Sequence, residues 1–338
     1  MAQLPATMRA VRYDRYGPPD VLGVAEVPLP AVGEDALLVR VVAAALNPKD
    51  CLVRKGKFRR FDGGSFPRGT GYDFAGEVVA SIGADHGFKP GDQVYGMVNG
   101  WVGSTCADYV VAKPAETALK PRTLALREAA AVPLAALTAL QALRDHGRIE
   151  AGQSVLINGA SGGVGTFAVQ IAKAFGAQVT AVSSQQNHDL VRSLGADRAV
   201  DYKRVRVERV TGGPFDIVFD VFGNKSFLTM KHLLAPRGAY VTTVPNPVNV
   251  FWHLVTPLPV LKRARLVVVK SRRDDLRALA EMIDQGQIRP VIDRMFTPGG
   301  AGEAHGYIET KRARGKVLIL FAGDEARDND RDGQAMGS

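Results

Sequence analysis

The feature that most constrains this chain is a strand, a glycine-rich turn and a helix in immediate succession. Val155-Leu156-Ile157 is followed by Asn158-Gly159-Ala160-Ser161-Gly162-Gly163-Val164-Gly165 and then by a helical stretch reaching Phe175. Glycines at this spacing let the backbone turn sharply and come close to a pyrophosphate. The helix N-terminus beyond them offers free N–H groups and the positive end of a dipole. A second strand at 178–182 completes a βαβ unit, the context that separates a dinucleotide site from an ordinary tight turn. At its end stands Ser183-Ser184-Gln185-Gln186-Asn187, where a site that prefers NAD places Asp or Glu roughly 20 residues after the glycines. Without a carboxylate a 2′-phosphate is not repelled, and hydroxyls and amides can donate to it, so the cofactor expected is NADPH rather than NADH. No Arg or Lys lies in that stretch, and Tyr202 and Lys203 are the nearest candidates for the missing complement.

The same texture continues on both sides of the motif. Strands are expected at 154–158, 178–182, 215–219, 239–244 and 266–269, with helices at 162–175 and 187–194, which is the pattern of a doubly wound parallel sheet. Upstream, short apolar runs alternate with turn residues such as Gly17-Pro18-Pro19-Asp20 and Pro90-Gly91-Asp92. This predicts a mostly antiparallel β domain with strands at 36–42, 75–81 and 109–112. A helical stretch at 127–143 is broken only by Pro133, and another helix is expected at 274–285. Strand composition returns at 290–296 and 316–321, by which the chain re-enters its first domain. The expected division is 1–128 for the first part of a β-rich catalytic domain, 129–273 for the nucleotide-binding domain, 274–322 for the return, and 323–338 for a polar, disordered tail.

Composition narrows the function classes. The chain has 338 residues, 46% hydrophobic and 23% charged, a globular balance that leaves disorder and coiled coil without support. No run approaches the roughly 18 apolar residues of a membrane span, and residues 1–10 lack the pattern of a signal peptide, so no membrane partner is expected and the cytoplasm is the default address. Two cysteines, Cys51 and Cys106, cannot build a disulfide framework or a four-thiolate zinc site, and the six histidines show no ligand spacing; no metal is expected. The net charge of +9 gathers in 54–60, 203–209 and 262–273. Solvated faces and attraction of an anionic cofactor explain such clusters as well as nucleic acid does, and nucleic acid remains the rival partner.

Further motifs carry a resemblance. They are Val41-Val42-Ala43-Ala44-Ala45-Leu46-Asn47-Pro48-Lys49-Asp50, Gly71-Tyr72-Asp73-Phe74-Ala75-Gly76-Glu77-Val78, Lys89-Pro90-Gly91-Asp92-Gln93-Val94-Tyr95-Gly96, Leu194-Gly195-Ala196-Asp197, Asp216-Ile217-Val218-Phe219-Asp220 and Arg314-Gly315-Lys316-Val317. With the glycine turn they resemble the medium-chain dehydrogenase/reductase superfamily, and within it the zinc-free quinone oxidoreductase and enone reductase branch, over 8–321. The resemblance implies an α/β fold: a groES-like β-rich domain made from both chain ends, a Rossmann domain inserted between them, an active site in the cleft, and a homodimer. Zinc-dependent relatives carry Cys where Asn47 stands and Gly-His-Glu where this chain has Gly71-Tyr72-Asp73, so the resemblance again implies no metal. Carried over residue by residue, Ser161, Gly162, Gly163 and Val164 match the pyrophosphate cradle, and Ser183, Ser184 and Tyr202 the 2′-phosphate region. Asn47 and Thr138 match residues against the nicotinamide and its ribose. Phe222 and Val244 face the cofactor from strand ends, and Lys316 is similar to a lysine that approaches it from the re-entering strand.

Without a Lewis acid, hydride from NADPH needs an acceptor that activates itself, and quinones and α,β-unsaturated carbonyls both qualify. One departure concerns the proton. Where relatives of this branch carry a tyrosine or lysine, this chain has Leu52. Tyr72 is the expected substitute, as a general acid or as packing under the cofactor, with Lys49, Cys51 and Lys57 as alternatives. The segment 245–255 reads as a substrate lid or an interface patch. Two other functions stay open: an NADPH-dependent oxidoreductase of a specialised biosynthetic intermediate, and a protein that binds NADPH and nucleic acid with little catalysis.

Overall fold

Strands in this chain end where Gly, Pro or charged residues interrupt apolar runs, and the computed structural model, which describes residues 4–83, 86–256 and 261–321, builds three sheets from them. The described residues fall into two compact units. One lies within 4–134, 271–281 and 292–321, and the other within 135–270 and 282–291. The α/β class expected from sequence is the one observed.

In the first unit the long strand Ala36–Leu46 is the organiser. It pairs antiparallel with Asp73–Ile82, with Tyr109–Ala112 and with the late strand Lys316–Leu320. The chain therefore does re-enter this sheet, and the register sets Val317 opposite Leu46 while Asp73 lies opposite Ala45. Three segments far apart in sequence thus meet at the end of one strand. Apolar side chains from these strands, among them Leu37, Val39, Phe74, Val94, Val317 and Ile319, form the core. A smaller sheet joins Thr7–Tyr13 to Gly23–Pro28 and Arg68–Gly69.

The second unit is a six-stranded, wholly parallel sheet. Its order runs Arg198–Asp201, Gln178–Ser183, Ser154–Asn158, Phe215–Asp220, Leu234–Thr242, Arg263–Leu266, with the first strand in sequence at the centre and the order reversing beside it. Ser154–Asn158 is followed by the helix Gly163–Ala174, as the glycine motif predicts. The central strands bury both faces, so they read as continuous Val, Ile, Leu and Phe rather than as an alternation.

Two expectations need correcting. The last strand is Arg263–Leu266, not 266–269; the apolar run lies largely beyond the sheet. Its place is taken by a basic stretch whose Arg265 Nη1 is satisfied by the carbonyls of Thr256 and Ala264 at 2.7 and 2.9 Å. The stretch 127–143 is not one helix: Leu126–Ala129 stops, Pro133 opens a new helix to Leu140 because its fixed φ suits a first turn, and a widened turn follows over Gln141–Gly147. Among the described residues no helix is long and apolar enough to cross a membrane. The tail expected at 323–338 lies outside the described residues. The segment 245–255 itself forms the helix Pro247–Val255, which leaves Val248, Phe251, Leu254 and Val255 exposed.

Candidate active site

In the second unit the first turn is held from two sides. Gly159 and Ala160 N–H donate to the Val182 carbonyl at 3.1 and 3.0 Å, and Val221 and Phe222 N–H donate to the Asn158 carbonyl at 3.1 and 3.3 Å. The ends of three strands, and with them Ser161, Ser183 and Phe222, are drawn to one edge of the sheet. Two glycines of the turn differ in kind. A Cβ on Gly165 would lie 2.1 Å from the Gly159 carbonyl oxygen, so this glycine exists to let the helix meet the strand. A Cβ on Gly162 would have only the Gly159 oxygen near it, at 3.7 Å, and Gly162 caps the helix with no side-chain hydrogen bond to its N-terminus. The space beside Gly162 is open, and a methyl group there would occupy it.

Below the turn lies a buried polar network that sequence reading passed over. Asn158 Nδ2 donates to Asp220 Oδ1 at 2.7 Å, and Asp220 also accepts from Gly223 N–H, Lys225 N–H and the Tyr240 hydroxyl. Asp220 is fully buried, and its four donors fix the loop that carries Phe222. Val244 closes against that loop, where a Cβ on Gly223 would overlap its side chain. Ser183 and Ser184 are buried at the end of the second strand, and Tyr202 N–H donates to the Ser183 carbonyl at 3.3 Å while its ring stays exposed. Asn187 Nδ2 donates to Ser161 Oγ at 2.9 Å, tying the two turns together, and its buried Oδ1 has no partner among the described residues. An open cradle at a helix N-terminus and an unsatisfied acceptor beside it fit a dinucleotide, whose pyrophosphate and ribose hydroxyls complement them. Thr138 is buried in the helix Pro133–Leu140.

In the first unit Asn47 sits just past the end of the Ala36–Leu46 strand, and the register described above brings Asp73 and Lys316 to it. Lys316 Nζ donates to Asn47 Oδ1 at 2.5 Å and to Asp73 Oδ2 at 3.1 Å; Asn47 Nδ2 donates to the same Asp73 oxygen at 3.1 Å. Leu134 N–H donates to Asp73 Oδ1 at 2.8 Å. All three side chains are buried. Both ends of the Asn47 amide are therefore held, and Lys316, expected to reach toward a cofactor, has its ammonium committed to Asp73 and Asn47. Asp73 is the residue sequence reading missed; the signal was an acid inside the Gly71-Tyr72-Asp73 motif with no assigned partner.

A second buried acid supports the same loop. Asp50 accepts from Asn47 N–H at 2.8 Å, Gly71 N–H at 2.7 Å and Thr70 Oγ1 at 3.2 Å. Burial pushes its carboxyl up to about 6, against the pull of the two backbone donors. Behind it stands His305, buried and pushed down to about 3 by desolvation and by Arg54. Arg54 Nε donates to His305 Nδ1 at 3.4 Å, so the ring proton sits on Nε2 and faces Thr70 at 3.3 Å. Arg54 itself is paired with Glu309. Cys51, 3.5 Å from the same ring, is pushed up to about 12 by burial and is no nucleophile at neutral pH.

Tyr72 is buried, and its hydroxyl donates to the Trp101 carbonyl at 2.5 Å. Burial, with Asp50 next, raises its phenol above the ordinary value. Lys49 Nζ lies 3.8 Å from the centre of the Tyr72 ring and donates to the Gly100 carbonyl at 2.8 Å. Among the described residues no three His, Cys, Asp or Glu side chains gather where they could hold a metal ion.

Two family models match this chain, the alcohol dehydrogenase GroES-like domain over 33–132 and the zinc-binding dehydrogenase over 194–319. The chain is 37% identical over 327 residues to 2-methylene-furan-3-one reductase of Solanum lycopersicum, covering 94% of this chain and 80% of that protein. It is 35% identical over 329 residues to the chloroplastic NADPH-dependent alkenal/one oxidoreductase of Arabidopsis thaliana, covering 94% and 81%. The solved quinone oxidoreductase from Coxiella burnetii superposes with a TM-score of 0.86 at 31% identity, over 93% of this chain and 99% of that one.

Proposed function

The chain belongs to the medium-chain dehydrogenase/reductase oxidoreductases, in the branch of quinone oxidoreductases and enone reductases, and from that premise we propose that it uses NADPH, without zinc, to reduce a quinone or an α,β-unsaturated carbonyl. The observation that carries the cofactor reading is the open cradle at Gly162 beside a second strand ending in Ser183-Ser184 with no carboxylate. NADPH, when bound, supplies two electrons and a proton as hydride. Gly162, Gly163 and Val164 would hold its pyrophosphate by backbone N–H groups, with Ser161 beside them. Ser183, Ser184 and Tyr202 would meet the 2′-phosphate; Thr138, Phe222 and Val244 would line the nicotinamide end.

Asn47 would lie against the nicotinamide, and Asp73 and Lys316 orient its amide so that it does not rotate away during turnover. The residues at the positions of the zinc ligands in relatives support the acceptor class. An amide already bonded at both ends and a phenol bonded to a carbonyl are poorly suited as metal ligands, which supports an acceptor that carries its own electrophile. The relatives named for alkenal/one and quinone reduction support the same class. With chelator-treated protein, NADPH is expected to be oxidised by a small linear enone and by an ortho-quinone, with kcat/KM at least about tenfold above that for NADH, a difference of about 1.4 kcal/mol. Equal rates with NADH would remove the 2′-phosphate assignment, and loss of activity on chelation would remove the zinc-free one. A homodimer, which the family resemblance implies, belongs to the same proposal. A solution mass near the 36.2 kDa of one chain would contradict it.

A further inference from the structure

Lys49 and Leu52 lie three residues apart on the helix Pro48–Arg54, so their side chains share one face of it. Leu52 is 42% exposed and carries no group able to move a proton. Lys49 does. Its ammonium has three N–H bonds; one is given to the Gly100 carbonyl, the Tyr72 ring lies against it, and no other hydrogen bond of Lys49 occurs among the described residues. The loop that accepts this bond continues into Trp101, whose ring stacks on Phe61 at 5.5 Å and meets Phe58 at 5.8 Å. Phe61 and Trp101 are half exposed or more. An exposed aromatic cluster, with Phe61 stacked on Trp101, therefore stands beside a cation with donors to spare. Such a pairing suits a planar conjugated acceptor, its π face against the rings and its oxygen toward the ammonium.

We propose that Lys49 is the proton donor of the reduction and that Tyr72 serves as the ring against which its ammonium is held. The assignment rests on the oxidoreductase reading above. For an enone, hydride from NADPH adds to the β-carbon and the double-bond electrons move to the carbonyl oxygen, leaving NADP⁺. One Lys49 N–H then breaks, its electron pair stays on nitrogen, and its proton goes to the enolate. The neutral amine regains a proton from solvent. Tyr72 is less suited, since its single proton is already given to the Trp101 carbonyl and burial raises its pKa. The Lys49 ammonium is instead lowered from its ordinary value by burial, against the opposing charges of Asp50 on its own helix and Asp73 on the neighbouring strand, the latter paired with Lys316. A lowered ammonium is a better acid near neutral pH.

The test compares Lys49→Met, Lys49→Arg and Tyr72→Phe by NADPH titration, by kcat on a linear enone as a function of pH, and by NMR titration of ¹³C-methylated lysines. Wild-type kcat should fall as pH rises through the Lys49 pKa, with a ¹³C-methyl resonance titrating in parallel below the ordinary lysine range. Lys49→Met should lose about 100-fold in kcat together with that basic limb, and its NADPH dissociation constant should stay within about threefold. Lys49→Arg keeps the charge over Tyr72 but cannot give up a proton, and it should not restore the rate. Tyr72→Phe should keep the basic limb. If Lys49→Met or Lys49→Arg turns over the enone with the wild-type pH profile, or if Tyr72→Phe alone abolishes the limb, the proposal is overturned while the oxidoreductase reading stands. If the wild type binds NADPH and reduces neither acceptor, the reading itself fails and the proposal with it.

Discussion

A Gly162→Ala chain should fold as the wild type does and bind NADPH at least about tenfold more weakly, whereas Gly165→Ala should not accumulate as a folded protein. The two substitutions add the same methyl group three residues apart. At Gly162 the backbone is already extended, with φ −84° and ψ 177°, and the nearest atom to the new Cβ is 3.7 Å away. Its cost to folding is that of an N-cap change, about 1 kcal/mol or less. The methyl would stand in front of the helix N-terminus, where a pyrophosphate must approach the backbone, and a tenfold loss corresponds to about 1.4 kcal/mol of displaced contact. At Gly165 the same atom would lie 2.1 Å from the Gly159 oxygen and 2.7 Å from Ala160 Cα. Both are backbone atoms of the turn itself, so helix and strand would have to part. Thermal melts and cofactor-fluorescence titrations read the two effects separately. Wild-type affinity in a folded Gly162→Ala chain would mean that the cradle does not face the phosphates.

The second large effect is expected at the buried ion pair. Lys316→Met leaves Asp73 buried without its cation, and breaking such a pair from one side costs about 3–5 kcal/mol. The melting temperature should fall by about 10 °C, since each kcal/mol moves a domain of this size by about 2–4 °C. Asp73→Asn together with Lys316→Met removes both charges and should recover part of that loss, because the penalty belongs to the uncompensated charge more than to the absent contact. Catalysis should not recover with it, as the Asn47 amide no longer has Lys316 on its oxygen. A Lys316→Met chain that melts within about 2 °C of the wild type would show that the pair contributes little to holding this corner.

The parts that sequence reading anticipated are those written in local chemistry. Tyr109–Ala112 and Ser154–Asn158 were expected at the residues where they are found, because turn residues bound each apolar run. The glycine motif announced its own strand and helix. Arg263–Leu266 was displaced, because an apolar run attracts a strand assignment and only pairing with the Leu234–Thr242 strand reveals that the basic stretch is the hydrogen-bonded one. Asp73 stands in a motif whose sequence assigns it no task, since its meaning depends on Asn47 and Lys316, 26 and 243 residues away. Asp220 was overlooked for the same reason: its donors come from Asn158, the loop after its own strand, and Tyr240. The sequence offers Lys49 only as an alternative, and what raises it is a distance to a ring that no spacing in the chain encodes.

The central claim is that hydride passes from NADPH directly to a conjugated acceptor. Turnover of a linear enone with NADPH deuterated at C4 of the nicotinamide, followed by NMR of the product, tests it most directly. The account predicts deuterium at the β-carbon of the saturated product from one of the two C4 positions and a solvent proton at the α-carbon. Product without deuterium when either C4 position carries the label, or deuterium at the α-carbon, would contradict it.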